Sequence, residues 1–157
     1  MAPDDPGSED LLRLDRQLCF PLYAASRLVT RLYHPLLEPL GLTYPQYIVL
    51  LILWEESPCR VSRIGERAQL NSNTLTPLLK RLEQLGYVER NRSAADERSV
   101  EISLTDAGLA LKARCACVPQ TLVASLDYPL EKAAALKVLL EELIRHLQAH
   151  AGAVTGG

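Results

Sequence analysis

The sequence predicts a mainly α-helical protein with one small β-ribbon. Three observations lead to this fold class. Apolar residues recur at helical spacing over most of the 157-residue chain, the spacing changes to alternation only in the stretches 87–91 and 100–104, and prolines and glycines stand where the patterns stop. A chain of this length can bury one core, so we expect a single domain with helical extensions.

Two helices are predicted in the first third of the chain. Apolar residues recur every three to four positions over 11–33 and indicate a helix, which Pro21 is expected to kink and Pro35 to stop. Thr43 is the expected N-cap of the second helix, which runs to about Glu56. The spacing gives each helix an apolar face that must be buried.

Two closely spaced helices follow. Ser62 is expected to cap a short helix that ends near Ala68, and either Asn71 or Ser72 to cap a longer helix that ends at Gly86. The turn between the two helices is only a few residues long. Such a pair is typical of a helix-turn-helix.

A hairpin and two further helices are predicted next. Strands over 87–91 and 100–104 are joined by a polar turn over 93–98. A helix capped at Thr105 follows, and Pro119 is expected to end or kink it. The last helix is expected to begin after Pro129. A helix-turn-helix followed by a β-ribbon is a winged helix, which is the predicted architecture.

The predicted organisation is one domain between two short terminal segments. Leucine-rich helices at both ends of the chain are suited to dimerisation. The segments are a disordered N-terminus over 1–10, a single domain over 11–150 with the winged helix at about 43–104 and dimerisation helices at about 11–33 and 106–150, and a frayed tail over 151–157.

Charge is distributed unevenly along the chain. The formal net charge of −2 argues by itself against nucleic acid, but residues 60–98 carry eight basic and five acidic side chains and therefore a net charge of +3. We expect a local basic face on an acidic protein. No secretory signal or membrane span is recognisable and the four cysteines are expected to be thiols, which together indicate a cytoplasmic protein.

The second helix of the helix-turn-helix has the pattern of a DNA-recognition helix. Short polar side chains in its first turns can reach base edges, and the basic residues beyond them can reach phosphates. A capped amphipathic helix with a polar outer face explains this pattern equally well, so the inference depends on the ribbon turn, where Arg98 can enter a minor groove and Asp96 can orient its guanidinium. The predicted DNA-binding residues are Ser72, Asn73, Thr74, Thr76, Pro77, Lys80, Arg81, Asp96 and Arg98.

Three stretches of the chain carry a resemblance to a known family. They read LDRQLCFPLYAASR, LTYPQYIVLLILWE and NTLTPLLKRLEQLGYVERNRSAADERSVEISLTDAG. Over about 14–147 the chain resembles the MarR family of winged-helix regulators, and the QLCF motif resembles its organic-hydroperoxide-sensing OhrR branch. The resemblance implies a homodimeric repressor that binds a pseudo-palindromic operator and is released when a cysteine is oxidised by an organic hydroperoxide or a related oxidant.

Cys19 is the sensing residue that the resemblance implies, and Tyr23, Tyr33 and Tyr44 match the tyrosines that hold the sensing thiol in that family. Taken alone, a cysteine on an apolar helix is more often an inert small hydrophobe. Tyr23 lies four residues after Cys19, on the same helical face. Tyr33 lies fourteen residues after it, about 21 Å along a continuous helix, so this contact must come from the partner subunit.

The second thiol of a disulfide is not assigned. Family members with a dedicated resolving cysteine carry it in the linker before the last helix, where this chain has Asp127 and Tyr128. The disulfide is completed by one of three thiols: a small-molecule thiol, Cys115 or Cys117. No cofactor is expected, and no metal site, because residues two apart on a helix face different sides and the histidines are scattered.

Two other functions stay open. A sister regulator of the same fold would release DNA when a small aromatic or phenolic ligand binds between the dimerisation helices and the winged helix. A thiol peroxidase is a remote alternative, because the chain lacks the α/β framework expected of one, and an enzyme is therefore not expected. Ligand-induced release of a Cys19→Ser variant would favour the first, and catalytic turnover of peroxide with a thiol donor the second.

Overall fold

The structure, a computed structural model, describes residues 12–93, 96 and 98–154. The predicted disordered segment 1–10 and the last three residues of the predicted tail lie outside the described residues, as do 94, 95 and 97 in the ribbon turn. The chain divides into two compact units after residue 118, and each unit is described by itself.

The described residues are mainly helical and include one small antiparallel sheet, which confirms the predicted fold class. Short 3-10 turns precede and follow the first helix, at Leu14–Arg16 and Glu38–Leu40. In chain order the elements are α1 (Cys19–Leu37), α2 (Tyr44–Glu55), β1 (Cys59–Arg60), α3 (Val61–Ala68), α4 (Ser72–Gln84), β2 (Val88–Arg92), β3 (Val100–Leu104), α5 (Asp106–Cys115), α6 (Val118–Leu126) and α7 (Leu130–Val154).

The sheet is the predicted ribbon with one added strand. Strands β2 and β3 pair antiparallel, from Val88 opposite Leu104 to Arg92 opposite Val100. Strand β1 pairs with the other edge of β3, so the strand order is β1-β3-β2. The sequence analysis missed β1 because two residues carry no alternation to recognise.

The core of the first unit joins the helix pair to the ribbon. Leu50 and Leu53 of α2, Leu79 of α4, Ile102 of β3 and Leu111 of α5 are almost completely buried in one cluster. Burial of these side chains from four elements is the main favourable contribution to their packing. The recognition helix and the ribbon are therefore held on one hydrophobic core.

The bounds of α1 differ from the prediction of 11–33. The helix begins at Cys19, so Pro21 falls in the first turn, where its missing N–H removes no helical hydrogen bond and the expected kink has no cause. Pro35 does not stop the helix, which continues to Leu37. Leu37 is fully buried in the core, and this burial retains the last turn although Pro35 cannot donate a hydrogen bond.

The helix caps follow the sequence signals with one exception. The Asn71 side chain accepts from the Thr74 N–H at 2.9 Å, and Thr43 precedes α2 with its N–H bound to the Gln46 side chain at 2.9 Å. The cap predicted at Ser62 is wrong, because pairing of β1 with β3 carries the extended chain to residue 60 and α3 then starts at residue 61, without a side-chain cap.

The second unit consists of the rest of α6 and α7. The helix capped by Thr105 ends at Cys115, four residues before Pro119. Proline has no N–H that could bond the Cys115 carbonyl, so the helix does not continue through Pro119. Pro119 instead lies in the first turn of α6. Helix α7 runs four residues beyond the predicted limit of 150, through an alanine-rich stretch that no proline interrupts.

Among the residues described, no single helix is long and apolar enough to cross a membrane. One pair of consecutive helical segments, Cys19–Leu40 and Tyr44–Glu55, passes the same test of length and composition when joined, and these segments are bent by 73°.

Candidate functional site

The recognition helix α4 is anchored on one face and free on the other. Leu75, Leu79 and Leu82 are buried, and they hold the helix on the core. The predicted reading residues all lie on the solvent side: Ser72, Asn73, Thr74, Thr76, Pro77, Lys80 and Arg81. The helix therefore presents short polar side chains at its start and two cations one to two turns later, as entry of a helix N-terminus into a major groove requires.

The ribbon turn is closed by hydrogen bonds around Asp96. The Ser93 N–H donates to the Ser99 carbonyl and the Ser99 N–H to the Asp96 carbonyl, both at 2.9 Å. The Asp96 carboxylate accepts the backbone N–H of Arg98 at 3.0 Å, so the guanidinium pair predicted for these two residues is not formed. A short side chain bonds the backbone two residues on more readily than a long, mobile guanidinium, and Asp96 thereby shapes the turn.

The cations of the basic segment fall into two groups. The first group forms ion pairs: Arg60 with Glu101 of β3, and Arg63 and Arg67 with Glu55 of α2, with Glu56 just beyond it and with Glu66 of α3. A second group is exposed and makes no ion pair within the described part of the chain: Lys80, Arg81, Arg90, Arg92 and Arg98. These unpaired cations extend from α4 along the ribbon and give this face a positive potential.

Sequence reasoning missed Arg90 and Arg92 as candidates. Both lie on β2 and are exposed. Val88 is the buried residue of this strand and the other four are exposed, so buried and exposed residues do not alternate along it. Two arginines two residues apart on a strand next to a predicted DNA-binding turn were the available signal.

Cys19 is the first residue of α1 and is exposed. The N-terminus of α1 has no side-chain cap, and the positive end of a helix dipole favours anionic groups. Tyr23 is 58% exposed one turn further along, and the Arg27 guanidinium lies 5.6 Å from the centre of its ring. Large apolar side chains at the N-cap and along the helix are also exposed, namely Leu18, Phe20, Leu28 and Leu32, and we call these four with Tyr23 the apolar surface of α1.

Tyr33 and Tyr44 form a stacked pair at the other end of α1. Their ring centres are 4.3 Å apart, and Tyr47 lies 5.8 Å from Tyr33. Burial raises the pKa of Tyr33 and of Tyr44, and raises the pKa of Tyr47 to about 12. These hydroxyls therefore remain protonated donors above neutral pH. Tyr47 is almost fully buried, as expected of a core tyrosine.

One chain does not bring Cys19 and the tyrosine pair together. Helix α1 is continuous from Cys19 through Tyr33, so the two positions are separated by about 21 Å along its axis. Tyr44 shares this separation because it stacks on Tyr33. Only Tyr23 of the predicted supporting tyrosines is near the thiol within one chain.

The remaining thiols differ in accessibility. Cys59 and Cys115 are buried, and burial is the main cause that raises the pKa of each. Cys117 is exposed. Within the described ranges, no group of three or more His, Cys, Asp or Glu side chains is placed to hold a metal ion.

Comparison with known proteins assigns the family. A family model described as "Transcriptional regulator SarA/Rot" matches residues 31–114, more than half of the chain. The organic hydroperoxide resistance transcriptional regulator of Bacillus subtilis is 47% identical over 138 residues, which cover 88% of this chain and 94% of that protein. The chain belongs to the MarR family of winged-helix regulators, in its organic-hydroperoxide-sensing OhrR branch.

Two solved structures are also similar to this MarR-family chain. Reduced AbfR bound to DNA superposes with a TM-score of 0.71 at 41% identity, covering 88% of this chain and 97% of that one. The disulfide form of AbfR superposes with a TM-score of 0.58 at 42% identity, covering 88% and 94%. AbfR is a protein of Staphylococcus epidermidis. The relatives of this regulator are thus named as transcriptional regulators rather than as enzymes.

Proposed function

We propose that this MarR-family regulator is a redox-sensing transcriptional repressor. A homodimer binds a pseudo-palindromic operator with α4 and the ribbon of each subunit, and oxidation of Cys19 by an organic hydroperoxide or a related oxidant releases it. The observation that carries the proposal is an exposed thiol at the start of α1, a helix with several exposed apolar side chains, about 21 Å along that helix from Tyr33 and the Tyr44 ring that stacks on it.

Dimerisation is supported by the apolar surface of α1. Soluble proteins rarely leave contiguous apolar patches uncovered, so several exposed large side chains on one helix favour an interface. A two-fold axis that makes the α1 helices of two subunits antiparallel can bring Cys19 of each chain to the Tyr33 and Tyr44 end of its partner. The thiol site and the dimer interface are then one structure.

The thiol chemistry needs a thiolate and hydrogen-bond donors. The Cys19 thiolate attacks the terminal oxygen of the hydroperoxide, an S–O bond forms as the O–O bond breaks, and the alkoxide takes up a proton and leaves as an alcohol. The tyrosine hydroxyls, held protonated by the raised pKa values of Tyr33 and Tyr44, are suited to donate to the sulfur or to the departing oxygen.

A second thiol then condenses with the sulfenic acid, forming a disulfide and releasing water. Cys117 is the better candidate within the chain because it is exposed, whereas Cys115 is buried and its pKa is raised. A small-molecule thiol serves the same chemistry. Either product places a bulkier group in the dimer interface, where it shifts the recognition helices away from the spacing of successive major grooves.

Operator binding by matched variants tests the proposal. Reduced wild type and Cys19→Ser should bind a promoter fragment equally, and an organic hydroperoxide should release only the wild type. Cys117→Ser is the control for loss of an exposed thiol; it should be released by peroxide when a small-molecule thiol is present. Peroxide release of Cys19→Ser, or absence of operator binding by the reduced wild type, would refute the proposal.

A second candidate is release by a small aromatic or phenolic ligand. A hollow of about 260 Å³, lined by Thr30, Arg31, His34, Leu42, Thr43 and Tyr44, has mainly apolar walls and one guanidinium group, that of Arg31. An aromatic carboxylate would suit it by size and charge. Salicylate-induced release of Cys19→Ser from the operator would favour this function. In the favoured function, peroxide is consumed once per thiol rather than turned over, so the protein is not an enzyme.

A further inference from the structure

A positively charged hollow beside the ribbon includes Arg60, Ser62 and Arg90, to which no role has been assigned. Its volume is about 450 Å³, and residues of three separate segments line it: Arg60 to Ser62, where β1 meets α3; Arg90 of β2; and Asp96 with Arg98 to Val100. A second hollow, between α3 and α4, shares Val61 and Ser62 with it and extends to Ser72 at the start of the recognition helix. The charged hollow therefore continues the DNA-reading face.

The described side chains that line the hollow carry more positive than negative charge. Arg90 and Arg98 make no ion pair in the part of the chain that the structure describes. Arg60 forms one ion pair at the outer limit of the distance range, 4.0 Å from the Glu101 carboxylate. The carboxylate of Asp96 is bound to a backbone N–H instead of a guanidinium. Among the described residues that line the hollow there are three guanidinium groups and one carboxylate, and this excess of positive charge favours an anion.

Neutral donors add to the cations. Ser62 lines the hollow, and α3 begins at Val61 without a side-chain cap, so the N–H groups of its first turn have no side-chain acceptor. A tetrahedral anion with two free oxygens matches forked guanidinium donors combined with a hydroxyl.

We propose that Arg60, Arg90 and Ser62 form a clamp for one backbone phosphate of the operator. This inference rests on the proposed function, because it assumes that α4 and the ribbon bind DNA. Operator DNA is the occupant that the geometry favours, since the hollow is continuous with the recognition helix and a duplex lying across α4 and the ribbon passes over it. Arg98, nearer the turn, remains the residue for the minor groove.

The clamp differs from base reading in its dependence on sequence and salt. A phosphate contact carries no sequence information, and each one contributes about 0.9 to the slope of log affinity against log salt concentration. Removing one such contact should weaken binding about fivefold at 0.15 M salt. The loss should be equal on operator and on unrelated duplex DNA, whereas loss of a base or groove contact lowers affinity for the operator selectively.

Salt-dependent DNA binding by charge variants tests the clamp. Because the two arginines share one phosphate, Arg60→Ala and Arg90→Ala should each lower the salt slope by up to about 0.9 on both duplexes, the double variant should lower it by about 0.9 in total, and the operator preference should stay unchanged. Arg90→Lys should retain the slope, because it retains the charge. Arg63→Ala is the matched control, since Arg63 is exposed on α3 but is paired with Glu56 and Glu66, and it should leave the slope unchanged.

Two results would overturn the clamp alone: an unchanged slope in both Arg60→Ala and Arg90→Ala, or a loss confined to the operator. The thermal midpoint of each variant, measured by circular dichroism, identifies a folding defect, and Arg90→Lys then decides whether the charge or the fold is responsible. Failure of the wild type to bind an operator would refute the proposed function itself. Normal binding and peroxide release with an unchanged slope would refute only the clamp.

Discussion

Mixed dimers distinguish a thiol site built within one chain from one built across two chains. One chain carries Cys19→Ser and keeps both tyrosines. The other keeps Cys19 but carries Tyr33→Phe and Tyr44→Phe, which remove two hydroxyls and retain the stacked rings. In a mixed dimer, an intersubunit site combines the intact thiol of the second chain with the intact tyrosines of the first. A site within one chain combines that thiol with two phenylalanines.

The expected magnitude follows from the geometry. Tyr33 lies about 21 Å along α1 from Cys19, so neither its hydroxyl nor that of Tyr44 can reach the thiol of its own chain. A hydrogen bond to a charged partner contributes about 1.5 kcal/mol, so loss of both hydroxyls should slow oxidation of Cys19 about a hundredfold. That separation in rate is wide enough to resolve two populations of thiols in one sample.

The assay is oxidation of Cys19 by an organic hydroperoxide, quenched by alkylation and followed by mass spectrometry of the Cys19 peptide. After subunit exchange at equal concentrations, about half of the Cys19-bearing chains are paired with a tyrosine-intact partner. About half of the thiols should therefore react at the wild-type rate. In the control, the Cys19-bearing chain keeps Tyr33 and Tyr44 and carries Tyr128→Phe, at an exposed tyrosine away from that pair. All Cys19 thiols in this mixture should react at the wild-type rate. Uniformly slow oxidation in the mixture would refute an intersubunit site.

Three further predictions concern accessibility, packing and pH. Alkylation of the native protein should modify the exposed Cys19 and Cys117 before the two buried thiols, and simultaneous modification of all four would contradict the burial. Gly108→Ala should lower the thermal midpoint although alanine is favoured in helices, because the added Cβ would lie 2.1 Å from the Tyr87 carbonyl oxygen; an unchanged or raised midpoint would be inconsistent with this close approach. Burial raises the pKa of Tyr47 to about 12, whereas an unfolded tyrosine titrates at about 10, so the free energy of unfolding should fall by about 2 to 3 kcal/mol between these two pH values. In denaturant titrations over this pH range, Tyr47→Phe should show a smaller decline. An identical decline in the variant would disprove the assignment.

The helix-turn-helix and the ribbon could be predicted because their signals are local. The Asn71 cap is a contact between residues three apart, and the alternation of β3 reflects one strand lying on one core. Where the prediction failed, a nonlocal contact decided the structure. Pairing of β1 with β3 moved the start of α3 to residue 61, and burial of Leu37 extended α1 past Pro35.

In the candidate site, too, local features could be predicted and features that depend on distant contacts could not. The polar face of α4 was readable from spacing, because a helix repeats every 3.6 residues. The role of Asp96 was not, since a carboxylate two residues before an arginine can bind either its guanidinium or its backbone N–H. Arg60 and Arg90 line one hollow because the ribbon lies beside the start of α3, and no local sequence pattern predicts this placement.

The central claim is that the oxidation state of Cys19 controls operator binding. The most direct measurement titrates the protein–operator complex with an organic hydroperoxide in the presence of a small-molecule thiol. Fluorescence anisotropy of labelled DNA gives the fraction bound, and mass spectrometry of the same samples gives the fraction of Cys19 in each oxidation state. We expect operator release to follow conversion of Cys19 to a disulfide. Release while Cys19 remains reduced, or a persistent complex with Cys19 fully converted, would contradict the account.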